Sequence, residues 1–135
     1  ARSSYALGAQ MLVLPKDRSA HVNSWAEKAA VGAFCHMKVV NVVNLAQALK
    51  RLQKQGMWIV GADAHATRAP WDVDLTSPTV LVIGGEDSGM RKLTHSLCDH
   101  VVGFPMASAD FSLNASATAT ALLAEVQRQR SIARK

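Results

Sequence analysis

Thr79–Arg130, TVLVIGGEDSGMRKLTHSLCDHVVGFPMASADFSLNASATATALLAEVQRQR, is the stretch whose reading decides the fold. Val80–Ile83 is a short, almost wholly apolar run, and the glycine-rich segment Gly84–Gly89 follows it. His100–Gly103 is a second short strand pattern, ended by Phe104–Met106 (FPM). The polar segment Phe111–Ser116 then opens into a long helix over Asn114–Arg130. Strands apolar on both faces belong in a parallel sheet with helices on both faces. In such a sheet the loops after the strands gather at one edge, and ligands bind there.

The same alternation extends upstream. Ala9–Leu14, closed by Pro15, reads as a buried strand. Ser24–Phe34 predicts a helix capped by Asn23 or Ser24, and Val39–Val43 is a β-branched strand. Asn44 caps the next helix, with Gln47 as its capping-box partner. Leu45, Ala48, Leu49 and Leu52 share a face of that helix, and Gly56 stops it. Met57–Ala62 is a strand, and a loop containing Pro70 and Trp71 runs on to Pro78. Arg91–Leu97 is a short helix. Arg2–Leu7 looks like the end of a helix, which leads us to expect further sequence upstream. The fold class is therefore α/β, organised as one domain over residues 1–135.

A hydrophobic fraction of 49% with 19% charged residues suits a globular chain and argues against disorder. No apolar run approaches the roughly 18 residues that span a bilayer, and Ala1–Gln10 lacks the pattern of a signal peptide. We expect a cytoplasmic setting without membrane contact. Cys35 and Cys98 read as plain thiols, and the five histidines show no metal-ligand spacing. We expect no metal. The net charge of +5 favours an anionic partner, nucleic acid being the commonest, although solubilising surface charge explains it equally.

Three segments carry chemistry. In Gly84–Gly89 (GGEDSG), glycines let backbone amides approach a ligand, and a tight strand-to-helix turn is the alternative. The P-loop ending and the dinucleotide fingerprint are both absent. Glu86 places a carboxylate between glycines, fit to hold a cation, a hydroxyl or an arginine. In FPM, Pro105 has no N–H, so neighbouring backbone groups are free for a ligand unless the proline merely ends the strand. Ser112 and Asn114 are good helix caps, or members of a polar cluster at a positive helix N-terminus.

Together these segments resemble the SpoU branch of the knotted SPOUT RNA methyltransferases. LGAQMLVLPKDRSAHVN is similar to the family's second strand and following loop, and NLAQALKRLQKQGMWIVGADA to its middle helix and strand. VLVIGGEDSGMRKLTHSLCDHVVGFPM resembles its second motif, and SLNASATATALLAEVQRQR its third. The likeness is greatest to bacterial enzymes that methylate a guanosine ribose of large-subunit ribosomal RNA, with tRNA-modifying relatives near behind. It implies a C-terminal deep trefoil knot, S-adenosylmethionine as cofactor, rRNA or tRNA as substrate and a homodimer. Carried over by position, Gly84, Gly85, Phe104, Met106 and Leu113 bind the cofactor, largely through backbone groups. Arg2, Glu86, Ser112 and Asn114 match the catalytic polar set. Asp87, Ala115 and Cys35 depart from the usual glycine, valine and glutamate. The family's first-motif asparagine would precede Arg2, so the domain is expected to lack its N-terminal strand and first-motif loop.

The resemblance assigns Arg2 to activation of the ribose 2′-OH. A guanidinium with a pKa above about 12 is a poor base. Arg2 acts as one only if its pKa is strongly depressed. Otherwise it holds an RNA phosphate that helps take the proton, which physics favours. A non-catalytic RNA-binding or scaffold relative is the competing reading. A flavodoxin-like nucleotide binder explains the glycine loop but not three ordered motifs. Lys16, Arg18, Arg91, Lys92, Arg128 and Arg130 are candidate phosphate contacts, although each taken singly reads more readily as a solvated surface charge. An aromatic content of 5% argues against an extended base-stacking platform, so recognition of folded RNA by shape fits better.

Overall fold

The computed structural model describes residues 1–16, 32–85, 88–108 and 110–135. Its helices are α1 (Arg2–Ala6), α2 (Leu45–Lys54), α3 (Lys92–Leu97) and α4 (Ala115–Ala133). Its strands are β1 (Met11–Pro15), β2 (Lys38–Val42), β3 (Trp58–Ala62), β4 (Thr79–Ile83) and β5 (His100–Val102). Most of the helix expected over Ser24–Phe34 lies outside the described residues. Where its end was expected, Ala33–Cys35 forms a 3-10 turn.

All strand pairings are parallel. The expected single sheet is instead two among the described residues: β1 with β2, and β4-β3-β5. β5 pairs with β3 on the side opposite β4, so the chain passes over β3 between its last two strands.

Alternation along β3 and β4 builds a core on each face of the larger sheet. Ile59 and Val82 pack with Leu49 of α2, joined by Leu45, Leu52 and Val80. Val60 packs with Val102, Leu122 and Val126, and with Val73 and Leu75 of the long loop. Ile59, Val60, Leu75 and Leu122 have no exposed surface. Each such side chain contributes about 1.5–3 kcal/mol by leaving water. Helices on both faces are thus observed for the three-stranded sheet.

The helix ends follow the sequence. Asn44 Oδ1 accepts from Gln47 N–H at 3.0 Å, which is half of the expected capping box. At the other end Gly56 N–H donates to the Gln53 carbonyl and Met57 N–H to the Leu52 carbonyl. Gly56 has φ +85°, completing a Schellman stop. Met57 is consumed by that stop, so β3 begins one residue later than expected. Similarly, Ala9 N–H closes α1 on the Ser4 carbonyl at 2.8 Å, and β1 starts only at Met11.

Side chains join distant parts of the backbone. Asp99 Oδ2 accepts from Ile59 N–H at 2.7 Å, while Asp99 N–H donates to the Ile59 carbonyl at 2.8 Å. Gln129 Oε1 accepts from Leu75 N–H at 2.8 Å, and its Nε2 donates to the Val73 carbonyl at 3.0 Å. Arg130 donates to the carbonyls of Leu75 and Ser77. The long loop is thereby laid along α4 as if against a neighbouring strand.

Candidate functional site

Because β3, β4 and β5 are parallel, the loops following Ala62, Ile83 and Val102 leave the same edge of the sheet. Phe104 packs its ring against the core that contains Val102, and the Trp71 ring tilts onto it with centroids 6.4 Å apart. Among the described residues, the backbone N–H and C=O of Phe104 and Met106 make no hydrogen bond. Pro105 between them cannot donate. This edge therefore presents unused donors and acceptors, as the FPM segment led us to expect.

The glycine segment folds back on itself. Gly85 N–H donates to the Gly89 carbonyl at 3.1 Å and Gly89 N–H to the Gly85 carbonyl at 2.9 Å. Both backbone groups of Gly85 are therefore engaged within the turn, which limits its expected contact with a ligand to its surface. Gly84 is required by close approach. A Cβ there would lie 2.5 Å from Gly89 C and 2.6 Å from Met90 N. Glu86 lies outside the described residues, as does Asp87.

Asn114 is the N-cap of α4, its Oδ1 accepting from Ala117 N–H at 2.8 Å. That leaves its amide nitrogen without a partner. Leu113 N–H and the Ser112 hydroxyl are likewise unpartnered among the described residues. Met106 and Leu113 are each 40% exposed, so each leaves part of an apolar side chain open. Arg2 is exposed on α1, which packs against α4.

Two of the candidate phosphate contacts have partners within the chain. Arg130 is held by the carbonyls of the long loop. Arg128 pairs with Glu125 through two bonds of 2.8 Å. That pairing holds the Glu125 carboxyl below its ordinary range. Lys16, Arg91 and Lys92 are exposed and have no side-chain partner among the described residues, while Arg18 lies outside them.

The loop after β3 was read in the sequence only as a connection. It lines a cleft of about 290 Å³ with Asp63, His65, Arg68 and His95. His95 Nε2 stands 3.7 Å from Asp63 Oδ2. The signal that would have found this loop is positional, since any residue following a parallel strand reaches the binding edge. None of the expected site residues lines this cleft. Among the described residues no three His, Cys, Asp or Glu side chains gather to hold a metal. No helix there is long and apolar enough to cross a membrane.

The described residues form a parallel α/β fold with unused backbone groups at the carboxyl edge of its sheet. The description SpoU rRNA Methylase family matches residues 1–124, and the chain belongs to that family. It is 43% identical over 129 residues to a 23S rRNA (guanosine-2′-O-)-methyltransferase RlmB of Pseudomonas aeruginosa, covering 96% of this chain and 52% of that protein. The protein of the same name from Escherichia coli is 40% identical, with coverage of 96% and 54%. The chain thus spans about half the length of the curated relatives it matches. The SpoU methyltransferase AviRb from Streptomyces viridochromogenes, in complex with the cofactor AdoMet, superposes with a TM-score of 0.91 at 32% identity, covering 97% of this chain and 54% of that one. The A. aeolicus TrmH/SpoU tRNA modifying enzyme superposes at 0.86 and 29% identity, covering 98% and 67%.

Proposed function

We propose that the chain is the cofactor-binding and methyl-transferring domain of an S-adenosylmethionine-dependent RNA 2′-O-ribose methyltransferase, with ribosomal RNA as its substrate. The observation that carries this reading is the backbone edge at Phe104 and Met106, which makes no hydrogen bond among the described residues, in a chain of the SpoU family. These residues fit the cofactor. Unused amides and carbonyls suit an adenine edge and a ribose, and Met106 and Leu113 supply apolar cover. Gly84 follows β4 on the same edge of the sheet and presents backbone rather than a side chain there.

S-adenosylmethionine supplies an electrophilic methyl group on sulfonium sulfur. The chain's own task is to hold the ribose oxygen in line with that methyl and to keep beside it the RNA phosphate that takes its proton. Alignment of this kind supplies about 7–11 kcal/mol of barrier reduction. Arg2, exposed and without a partner among the described residues, is a positioning residue that holds the phosphate beside the 2′-OH, and Ser112 and the Asn114 amide orient the ribose. Glu86 is proposed for the same polar set from its place in the motif.

We further read residues 1–135 as one domain that works as a homodimer in the cytoplasm. The return of β5 across β3 and the fastening of residues 73–77 to α4 support a C-terminal knot. Transfer RNA is the alternative substrate. The test is calorimetric titration with S-adenosylmethionine, followed by methylation of total rRNA and tRNA with labelled cofactor and mapping of the modified ribose. Cofactor binding and a single labelled rRNA ribose are expected. A folded protein that binds RNA but no cofactor would instead be a scaffold relative.

A further inference from the structure

A second cleft, of about 480 Å³, lies where β1 and β2 begin. Tyr5, Gln10, Met11, His36 and Lys38 line it, together with Gly8 and Ala9. The rings of Tyr5 and His36 stack with centroids 5.5 Å apart and planes 22° from parallel. Tyr5 remains 45% exposed and Met11 46% exposed. Lys38 and Gln10 are exposed, with no side-chain partner among the described residues. No carboxylate among the described residues lines the cleft.

We infer that this cleft binds one nucleotide of the RNA substrate outside the target ribose. Its base would stack on the Tyr5–His36 pair and its phosphate would meet Lys38. The chemistry is matched group by group. An exposed ring pair offers a face to any base, and the Met11 thioether makes a favourable contact with an aromatic edge. The amide of Gln10 can donate and accept at the base edge. A wall with lysine and histidine but no acid attracts the phosphate.

The position also fits. Tyr5 follows Arg2 by three residues on α1, so the two side chains are neighbours on one helix face. A strand whose phosphate is held at Arg2 would be led along that face towards the cleft. The low aromatic content excludes an extended platform but leaves room for one stacking step. A base and phosphate could equally belong to a free nucleotide, and the experiment separates the two sources. The inference rests on the RNA methyltransferase reading and adds a subsite to it.

The test uses the protein carrying Tyr5→Ala, Tyr5→Phe or Lys38→Ala. A short single-stranded RNA containing iodouridine and the free nucleoside monophosphates serve as probes. Photo-crosslinking of wild type to the RNA is expected to label the peptide containing Tyr5 or the one containing His36. Tyr5→Ala should weaken RNA binding about tenfold, the loss of one base–aromatic stack. Tyr5→Phe should restore it to within about twofold, and Lys38→Ala should lower both affinity and its salt dependence. Cofactor affinity and circular dichroism should not change. Three results would overturn the subsite while leaving the RNA methyltransferase reading intact: crosslinks confined to other peptides, unchanged affinity in Tyr5→Ala, or loss of a dimer in that variant. Saturable binding of free monophosphates at this cleft without RNA binding there would also overturn it. Failure of wild type to bind any RNA or cofactor would overturn the reading itself.

Discussion

Gln127 Nε2 donates to the Leu7 carbonyl at 2.7 Å, joining residues 120 apart in the chain. The contact fixes α1, and with it Arg2, against α4. Gly8 follows Leu7 at φ +83°, and a Cβ on it would stand 2.5 Å from the same amide nitrogen. Gly8→Ala should therefore cost about 2 kcal/mol in urea denaturation, from left-handed strain and the clash together. In a Gln127→Ala background the clash is gone, and the added cost should fall to about 1 kcal/mol. Equal costs in both backgrounds would refute the coupling.

Gly84 faces backbone rather than a flexible side chain, so its neighbours cannot move aside cheaply. Gly84→Ala should destabilise the protein by about 3 kcal/mol and open the turn closed by Gly85 and Gly89. Calorimetry should show weakened S-adenosylmethionine binding at a temperature where the variant is still folded. Wild-type affinity and melting would mean that the turn has no part in the site.

Asp99 replaces a strand neighbour for Ile59 and also lies 3.4 Å from Gln53 Nε2 through each carboxylate oxygen. Asp99→Ala should cost about 2 kcal/mol by leaving the Ile59 amide without its acceptor. Asp99→Asn, which keeps one oxygen, should cost about half as much. Thermal melts of the two variants give the order directly, and a reversed order would point to charge rather than hydrogen bonding.

Asn114 has two separable duties. Its Oδ1 caps α4, while its amide nitrogen is free. Asn114→Ser should keep stability within about 0.5 kcal/mol, and Asn114→Ala should lose about 1 kcal/mol. If the amide orients ribose, both variants should lose methyl transfer by about tenfold or more, a change of about 1.4 kcal/mol in the barrier. Full activity in Asn114→Ser would reduce Asn114 to a cap.

Glu125 titrates below its ordinary range because Arg128 donates two hydrogen bonds to it, with Gln129 adding a third. A carboxyl depressed in the folded state contributes stability above its unfolded pKa and loses it as pH falls through the folded value. Stability should therefore drop on acidification below the usual glutamate pKa. Glu125→Gln should flatten that part of the curve in denaturation series across acidic pH. An unchanged slope would place the acid sensitivity in other groups.

Local chemistry was legible in the sequence. Gly56, Asn44 and Asn114 act where their side chains or missing Cβ act within a few residues, and each holds its expected place. The alternation of Ile59 with Val60 likewise announced a strand covered on both faces. Contacts across the chain were not legible. Arg130 looked like a surface cation because nothing local reveals the carbonyls of Leu75 and Ser77 waiting for it. Gly85 looked free because its partner, Gly89, is set by how the turn closes. Asp99 and Gln129 stand in for strand neighbours, a role that no periodicity records.

The fastening of residues 73–77 to Gln129 and Arg130 bears on the order in which the molecule is made. Those bonds span 53 to 56 positions. During synthesis the loop leaves the ribosome long before its partners do. It must wait, unclamped, until the last turns of α4 emerge, so the edge that includes Trp71 and Phe104 is assembled late. A nascent chain halted before Gln129 would carry β3, β4 and β5 but would leave that loop without its hold.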